Sequence, residues 1–213
     1  MNCSCSYSQQ NDLILEEIET ELARGQTTVS DVLSDAKHME LHPQAPFREM
    51  IKKYAKPGKI KMITDLEPGK KITVKGLITI SSGRPLNDAL VYVYQTSDKG
   101  WYAADVPHIS GNGGDMDHAR LFAYLKTDNQ GQFEYITIRP KGYPNSDLPA
   151  HIHIAVWKDG QMIHGIPGEL LFDEDERLTP ERRSRSLSDG FLVEKNSGTA
   201  QNPVYFYKII VKE

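Results

Sequence analysis

Tyr143, His151 and His153 put three side chains able to bind a metal within eleven residues, in the stretch Tyr143-Pro-Asn-Ser-Asp-Leu-Pro-Ala-His151-Ile-His153. An apolar run, Ile154-Ala155-Val156, follows directly. Side chains two apart on a β-strand share a face, so His-x-His on a strand offers two imidazoles to one ion. A tyrosine contributes differently. Its phenol binds metal as phenolate, and with an unperturbed pKa of about 10 it needs a highly charged cation to lose its proton at neutral pH. Taken alone, each feature has a plainer reading: two polar residues on a half-exposed strand, and a turn with a buried ring at Tyr143-Pro144.

The elements that must position these groups are strands. Residues 71–80 alternate and are rich in β-branched side chains, 89–94 read as a buried strand, and 121–126, 132–138, 151–157 and 204–211 continue the pattern. Ser82-Gly83-Arg84-Pro85, Asp98-Lys99-Gly100 and Asp128-Asn129-Gln130-Gly131 supply turns between them. Strands with short turns and no alternating helices predict a mainly β domain, an antiparallel β-sandwich over residues 59–213. The charged tract 169–185 reads as a solvated loop or short helix. Residues 186–202 read as a surface connection, with a short strand near Phe191-Leu192-Val193.

Residues 1–58 have a different character and are expected to form a leader and a helical extension. Residues 1–10 are polar and read as frayed. Ile14, Ile18 and Leu22 then recur at helical spacing up to Gly25, and Thr28-x-x-Asp31 has the form of a capping box. Phe47, Ile51 and Tyr54 mark a third helix, from Pro46 to a stop at Pro57-Gly58. These stripes fit equally against the main domain or against a second copy of the chain, which leaves open a homo-oligomer formed through the N-terminal helices.

Composition excludes several classes. The 213 residues carry 25 Lys and Arg against 29 Asp and Glu, a net charge of -4 without long runs of one sign, so no nucleic-acid footprint is present. No stretch is apolar enough for a membrane span, and the amino terminus lacks an apolar signal core. The chain as given reads as soluble, and better as cytoplasmic than as exported. Cys3 and Cys5 are one residue apart, too close for an unstrained bridge.

The ordered landmarks Leu86 to Gln95, Gly100-Trp101-Tyr102, Lys126-Thr127-Asp128-x-x-Gly131, Thr137-Ile138-Arg139-Pro140, Tyr143-Pro144 and Pro149-Ala150-His151-Ile152-His153 resemble the intradiol ring-cleavage dioxygenases, the catechol and protocatechuate enzymes. The likeness covers roughly residues 72 to 157. It implies a non-haem Fe(3+) cofactor held by Tyr102, Tyr143, His151 and His153. The substrates implied are a small aromatic diol and O2, opened to a muconate-type diacid. In the family the tyrosine preceding His-x-His, here Tyr143, gives up the iron to substrate and accepts a catechol proton, which makes it the catalytic residue. The charge of two phenolates and a hydroxide balances a trivalent ion, and the imidazoles add none.

One position departs from the pattern. Where those enzymes carry an arginine two residues before the alanine of Pro-Ala-His-Ile-His, this chain has Leu148, which puts substrate class in question. Arg139 is the candidate replacement donor, although a strand-end arginine also fits a structural ion pair. His118, with Asp115 and Asp117, is a further candidate for lining the substrate pocket, and these three also fit a solvated loop. The alternative function is a non-catalytic transthyretin-like binding or accessory module, with or without metal, because Gly83-Arg84-Pro85-Leu86-Asn87-Asp88-Ala89-Leu90-Val91-Tyr92-Val93 suits such sandwiches too. They do not require the later Tyr-Pro and His-x-His. A third reading keeps the site and fills it with zinc or copper.

Overall fold

A computed structural model describes residues 3–103 and 114–212, with side chains from residue 10 onward. The alternation at 71–80 produces strand β2 (Lys71–Ile80), with Ile72, Val74 and Ile78 buried and Lys71 and Lys75 exposed. β2 lies between β5 (Gln132–Ile138) and β10 (Val204–Val211), and β1 (Lys59–Lys61) lies outside β5. β10 shows the same period: Tyr205, Tyr207, Ile209 and Val211 are buried and the residues between them are not.

A second sheet carries the histidines. Its order is β4 (Leu121–Lys126), β3 (Leu90–Gln95), β6 (His151–Lys158), β8 (Leu170–Phe172) and β9 (Leu192–Glu194), with β7 (Gln161–His164) also paired to β6. β3 is buried at Val91 through Gln95 and sits centrally between β4 and β6. A near-continuous apolar strand is what such a position requires.

The sheets are mixed, which corrects the expectation of an antiparallel sandwich. β1 runs parallel to β5, β10 to β2 and β8 to β9, while the remaining pairs are antiparallel. Parallel neighbours need a long crossover. Between β8 and β9 the crossover is helical: α5 (Pro180–Ser188), capped by Thr179, arises in the tract expected as a loop or short helix. β2 and β10 are separated by most of the sheet-forming chain, so local turn signals carry no information on their relative direction.

Three helices precede the sheets: α1 (Cys3–Arg24), α2 (Val29–Ser34) and α3 (Ala45–Lys53). α1 includes residues expected to be frayed. At α2 the capping box forms, with Thr28 Oγ1 accepting from Asp31 N at 3.2 Å and Thr28 N donating to Asp31 Oδ2 at 3.1 Å. On α3, Phe47 and Ile51 are fully buried. So is most of Arg48, whose Nη1 donates to the carbonyls of His42 (3.1 Å) and Ala119 (2.9 Å). Its Nη2 donates to Met116 O at 2.8 Å and to the Tyr92 hydroxyl, and its guanidinium lies 3.8 Å from the Phe122 ring centroid. Ile18, Leu22, Leu33, Phe47 and Ile51 belong to one continuous apolar cluster with Val91, Phe122 and Ile154. Among the described residues no helix is long and apolar enough to cross a membrane.

Candidate metal centre

β6 alternates along its first half: Ile152 and Ile154 are buried, and His151 and His153 lie half-buried on the other face. Pairing with β3 sets His153 opposite Tyr94, and the two rings stack with centroids 4.4 Å apart and planes 9° apart. Tyr102 enters from the segment after β3 and is buried, while Tyr143 enters from the segment before β6. The two phenol oxygens are 2.7 Å apart. Tyr102 Oη lies 2.8 Å from His153 Nε2, and Tyr143 Oη lies 2.9 Å from His151 Nε2. Four donor atoms therefore form one connected group, two phenolic and two imidazole.

The far side of each imidazole fixes which nitrogen carries the proton. His151 Nδ1 is 2.9 Å from Pro149 O. A carbonyl only accepts, so the proton sits on Nδ1 and the Nε2 lone pair faces Tyr143. His153 Nδ1 is 3.3 Å from Glu169 Oε1, within range of charge attraction though poorly aligned for a hydrogen bond. The carboxylate draws the proton to Nδ1 and leaves Nε2 toward Tyr102. Glu169 is itself buried and accepts from Gly168 N at 2.9 Å. Burial works to raise its pKa, but His153 and the backbone N–H groups of Gly168 and Glu169 outweigh it and hold the value at about 2.

Burial pushes the phenols the other way. Desolvation, and then the neighbouring Tyr143, raises the Tyr102 pKa far above the ordinary phenol value. Desolvation also raises Tyr143, against a lowering effect of its hydrogen bond with Tyr102. Both phenols hold their protons in the protein alone, and only a strong local positive charge would release them. The donor set suits a hard trivalent ion, since phenolate oxygens match its charge and the two imidazole lone pairs complete the ligands. Among the described residues no group of three His, Cys, Asp or Glu side chains offers a competing metal site.

A family model described as "Dioxygenase" matches residues 49–210, more than half of the chain. The β chain of protocatechuate 3,4-dioxygenase from Burkholderia cepacia is 31% identical over 97 residues, covering 43% of this chain and 40% of the relative. Catechol 1,2-dioxygenase from Candida albicans is 26% identical over 106 residues, covering 42% and 33%. The matched portion is thus less than half the length of either relative. Among solved structures, an intradiol ring-cleavage dioxygenase from Tetranychus urticae superposes with a TM-score of 0.56 at 15% identity, over 74% of this chain and 87% of that one. Catechol 1,2-dioxygenase from Pseudomonas arvilla C-1 gives 0.55 at 18% identity, over 74% and 57%, so the fold is shared. The chain belongs to the intradiol ring-cleavage dioxygenase family.

In this intradiol-type domain the four residues singled out for iron, Tyr102, Tyr143, His151 and His153, come together. The two candidates for binding substrate do not join them. The Arg139 guanidinium lies 3.5 Å from the Phe172 ring centroid and 3.3 Å from Asp175 Oδ2, which also accepts from Ala150 N at 3.2 Å. It braces the chain just before His151 and is the structural ion pair that its strand-end position allowed. His118 Nδ1 is 2.8 Å from Gly114 O. Neither residue is on the described walls of the cavity beside the cluster. Asp115 acts at a distance, its charge helping to raise both site phenols. Asp117 is exposed. The residues leading into this segment, 104–113, lie outside the described residues.

That cavity has a volume of about 480 Å³, and Tyr143, Leu148, His151, His153, Glu169 and Phe191 are on its walls. Two residues that matter here escaped the sequence reading. Glu169 follows from strand register: Ile152 pairs with Leu170, and one step further along the same ladder Glu169 comes opposite His153. Arg177 donates from Nη1 to the carbonyls of Tyr143 and Leu148, both at 3.2 Å, and so fixes the segment that presents Tyr143. Both sit in a tract whose many charges look solvated; the available signal was an acidic residue flanking the buried triplet Leu170-Leu171-Phe172.

Proposed function

We propose that this protein cleaves a catechol-type aromatic diol with dioxygen, using a non-haem ferric ion held by Tyr102, Tyr143, His151 and His153. The observation that carries the reading is the connected set of two phenol oxygens and two imidazole nitrogens, spaced 2.7 to 2.9 Å apart, at the wall of a cavity in a member of this family. The bound ion would supply the positive charge that holds both oxygens of the diol and makes its ring reactive toward dioxygen.

The chain's own groups do the rest. Pro149 O and Glu169 keep both Nε2 lone pairs free for the metal. Tyr94, stacked on His153, fixes the plane of that ring. Tyr143, the phenol of the pair that lines the cavity, is placed to take a diol proton on Oη as substrate enters. Leu148 and Phe191 supply apolar surface for an aromatic ring and exclude water. The bond between the two hydroxyl-bearing carbons breaks and each carbon gains one oxygen atom, so O2 takes up all four electrons and no outside reductant is needed.

The test is oxygen uptake by the iron-loaded protein with catechol under labelled dioxygen. The expected product is a ring-opened diacid with one labelled atom in each new carboxyl group. Absence of oxygen consumption with every catechol tried would overturn the proposal.

A further inference from the structure

We infer that the cavity favours uncharged catechols with an apolar substituent over catechols carrying a carboxylate, and that Glu169 sets this discrimination. The inference rests on the ring-cleavage reading of the site. Glu169 is a wall residue shared with His153, and its side chain is only 6% exposed. An acid at that depth presents a negative charge to whatever lies on the imidazoles, with little water to screen it.

Among the described residues, the cations near the cavity are already engaged elsewhere. Leu148, apolar, is on the cavity wall two residues before Ala150. At the rim, Arg182 is committed to Asp147, with Nη2 2.6 Å from Oδ2. Arg185 lies 3.7 Å from Asp189, which lines the same cavity. Arg177 is turned to backbone carbonyls. The rim is therefore balanced in charge while the inner wall is acidic. The remaining surface is apolar, through Leu148, Pro149, Leu171 and Phe191, and about 480 Å³ leaves room for more than a bare ring.

Two unit charges of like sign about 6 Å apart, at the screening typical of protein sites, repel by the equivalent of on the order of a hundredfold in affinity. Solvent at the cavity mouth reduces this, and roughly tenfold or more is expected. The decisive comparison is between protocatechuate and its methyl ester, which share the diol and differ in the charge of one substituent, with a methylcatechol as the small neutral reference. Binding to the iron-loaded protein without oxygen is followed by the visible band, and kcat/KM by oxygen uptake.

Wild-type protein is expected to bind the ester at least about tenfold more tightly than the acid, and Glu169→Gln to narrow that gap, chiefly by improving the acid. Equal binding of acid and ester by wild type, or an unchanged gap in Glu169→Gln, would overturn the inference. Should Glu169→Gln fail to retain iron, the wild-type comparison of acid with ester still decides. Ligands that bind in the expected order without consuming oxygen would support the selectivity and sink the ring-cleavage reading. If none of the three binds, both fall.

Discussion

Tyr102 and Tyr143 bring their phenol oxygens within 2.7 Å of each other but differ in setting. Tyr102 is buried behind the cluster, whereas Tyr143 is half-buried and faces the cavity. On the proposed ligand set, Tyr102→Phe removes a metal donor, so weaker iron retention is expected, measured as metal remaining after dialysis against a mild chelator. Tyr143→Phe leaves three of the proposed ligands and should still bind a catechol. It loses the proposed acceptor of the diol proton, and a positioned base contributes about 10²- to 10⁴-fold in rate. Turnover should drop by that order while the catechol titration changes little. Unchanged turnover in Tyr143→Phe would show that its phenol moves no proton. The cluster of four was legible in part from spacing, which singled out Tyr143, His151 and His153, and in part from the family resemblance, which added Tyr102. Glu169 and Arg177 were not, because a charged residue in a charged tract looks solvated until strand register brings it against an imidazole or a backbone carbonyl.

Among the elements, α3 and the turn before it meet the second sheet through two buried polar side chains. Arg48 donates to carbonyls at 42, 116 and 119, and His42 donates from Nδ1 to Arg120 O at 2.7 Å while stacking on Phe47. The apolar stripe of α3 announced its buried face; that an arginine sits inside it could not be read from spacing. Burial, chiefly, lowers the His42 pKa from 6.5 to about 4. A depressed folded pKa means that the unfolded chain binds the proton more tightly, so this contribution to stability is full above pH 6.5 and is lost as pH falls toward 4. Its size is on the order of 3 kcal/mol. Urea melts of metal-free His42→Leu should show about 1 kcal/mol less stability at pH 7, for the lost hydrogen bond, and a flatter decline between pH 6.5 and 4 than wild type. Parallel slopes would show that His42 is not the titrating group. The longer strands were legible from alternation and β-branched content, and the Thr28 capping box from its two polar residues, whereas the short strands β1, β7 and β8 were not. The parallel pairs β1–β5, β2–β10 and β8–β9 were not, since pairing between distant segments leaves no local mark.

Across the whole molecule, the helices before residue 59 share one apolar cluster with the sheets, and Phe47 stacks edge-on against Phe122. We propose that residues 59–213 form the sandwich unit and that 1–58 serve as its cover. A chain starting at Lys59 should keep a β-rich circular dichroism spectrum and expose apolar surface, seen as dye binding and aggregation; complete loss of the β signal would place the boundary elsewhere. The sheets give the site its rigidity, with both histidines on β6 and the phenols on segments flanking β3 and β6. The proposed ring cleavage depends on those four side chains holding ferric iron. The visible absorption spectrum of protein loaded with one equivalent of ferric ion tests this most directly. Phenolate ligands predict a red to brown colour from charge transfer to the metal, altered on adding catechol and weakened in Tyr102→Phe. A colourless protein that retains its full equivalent of ferric iron would contradict it.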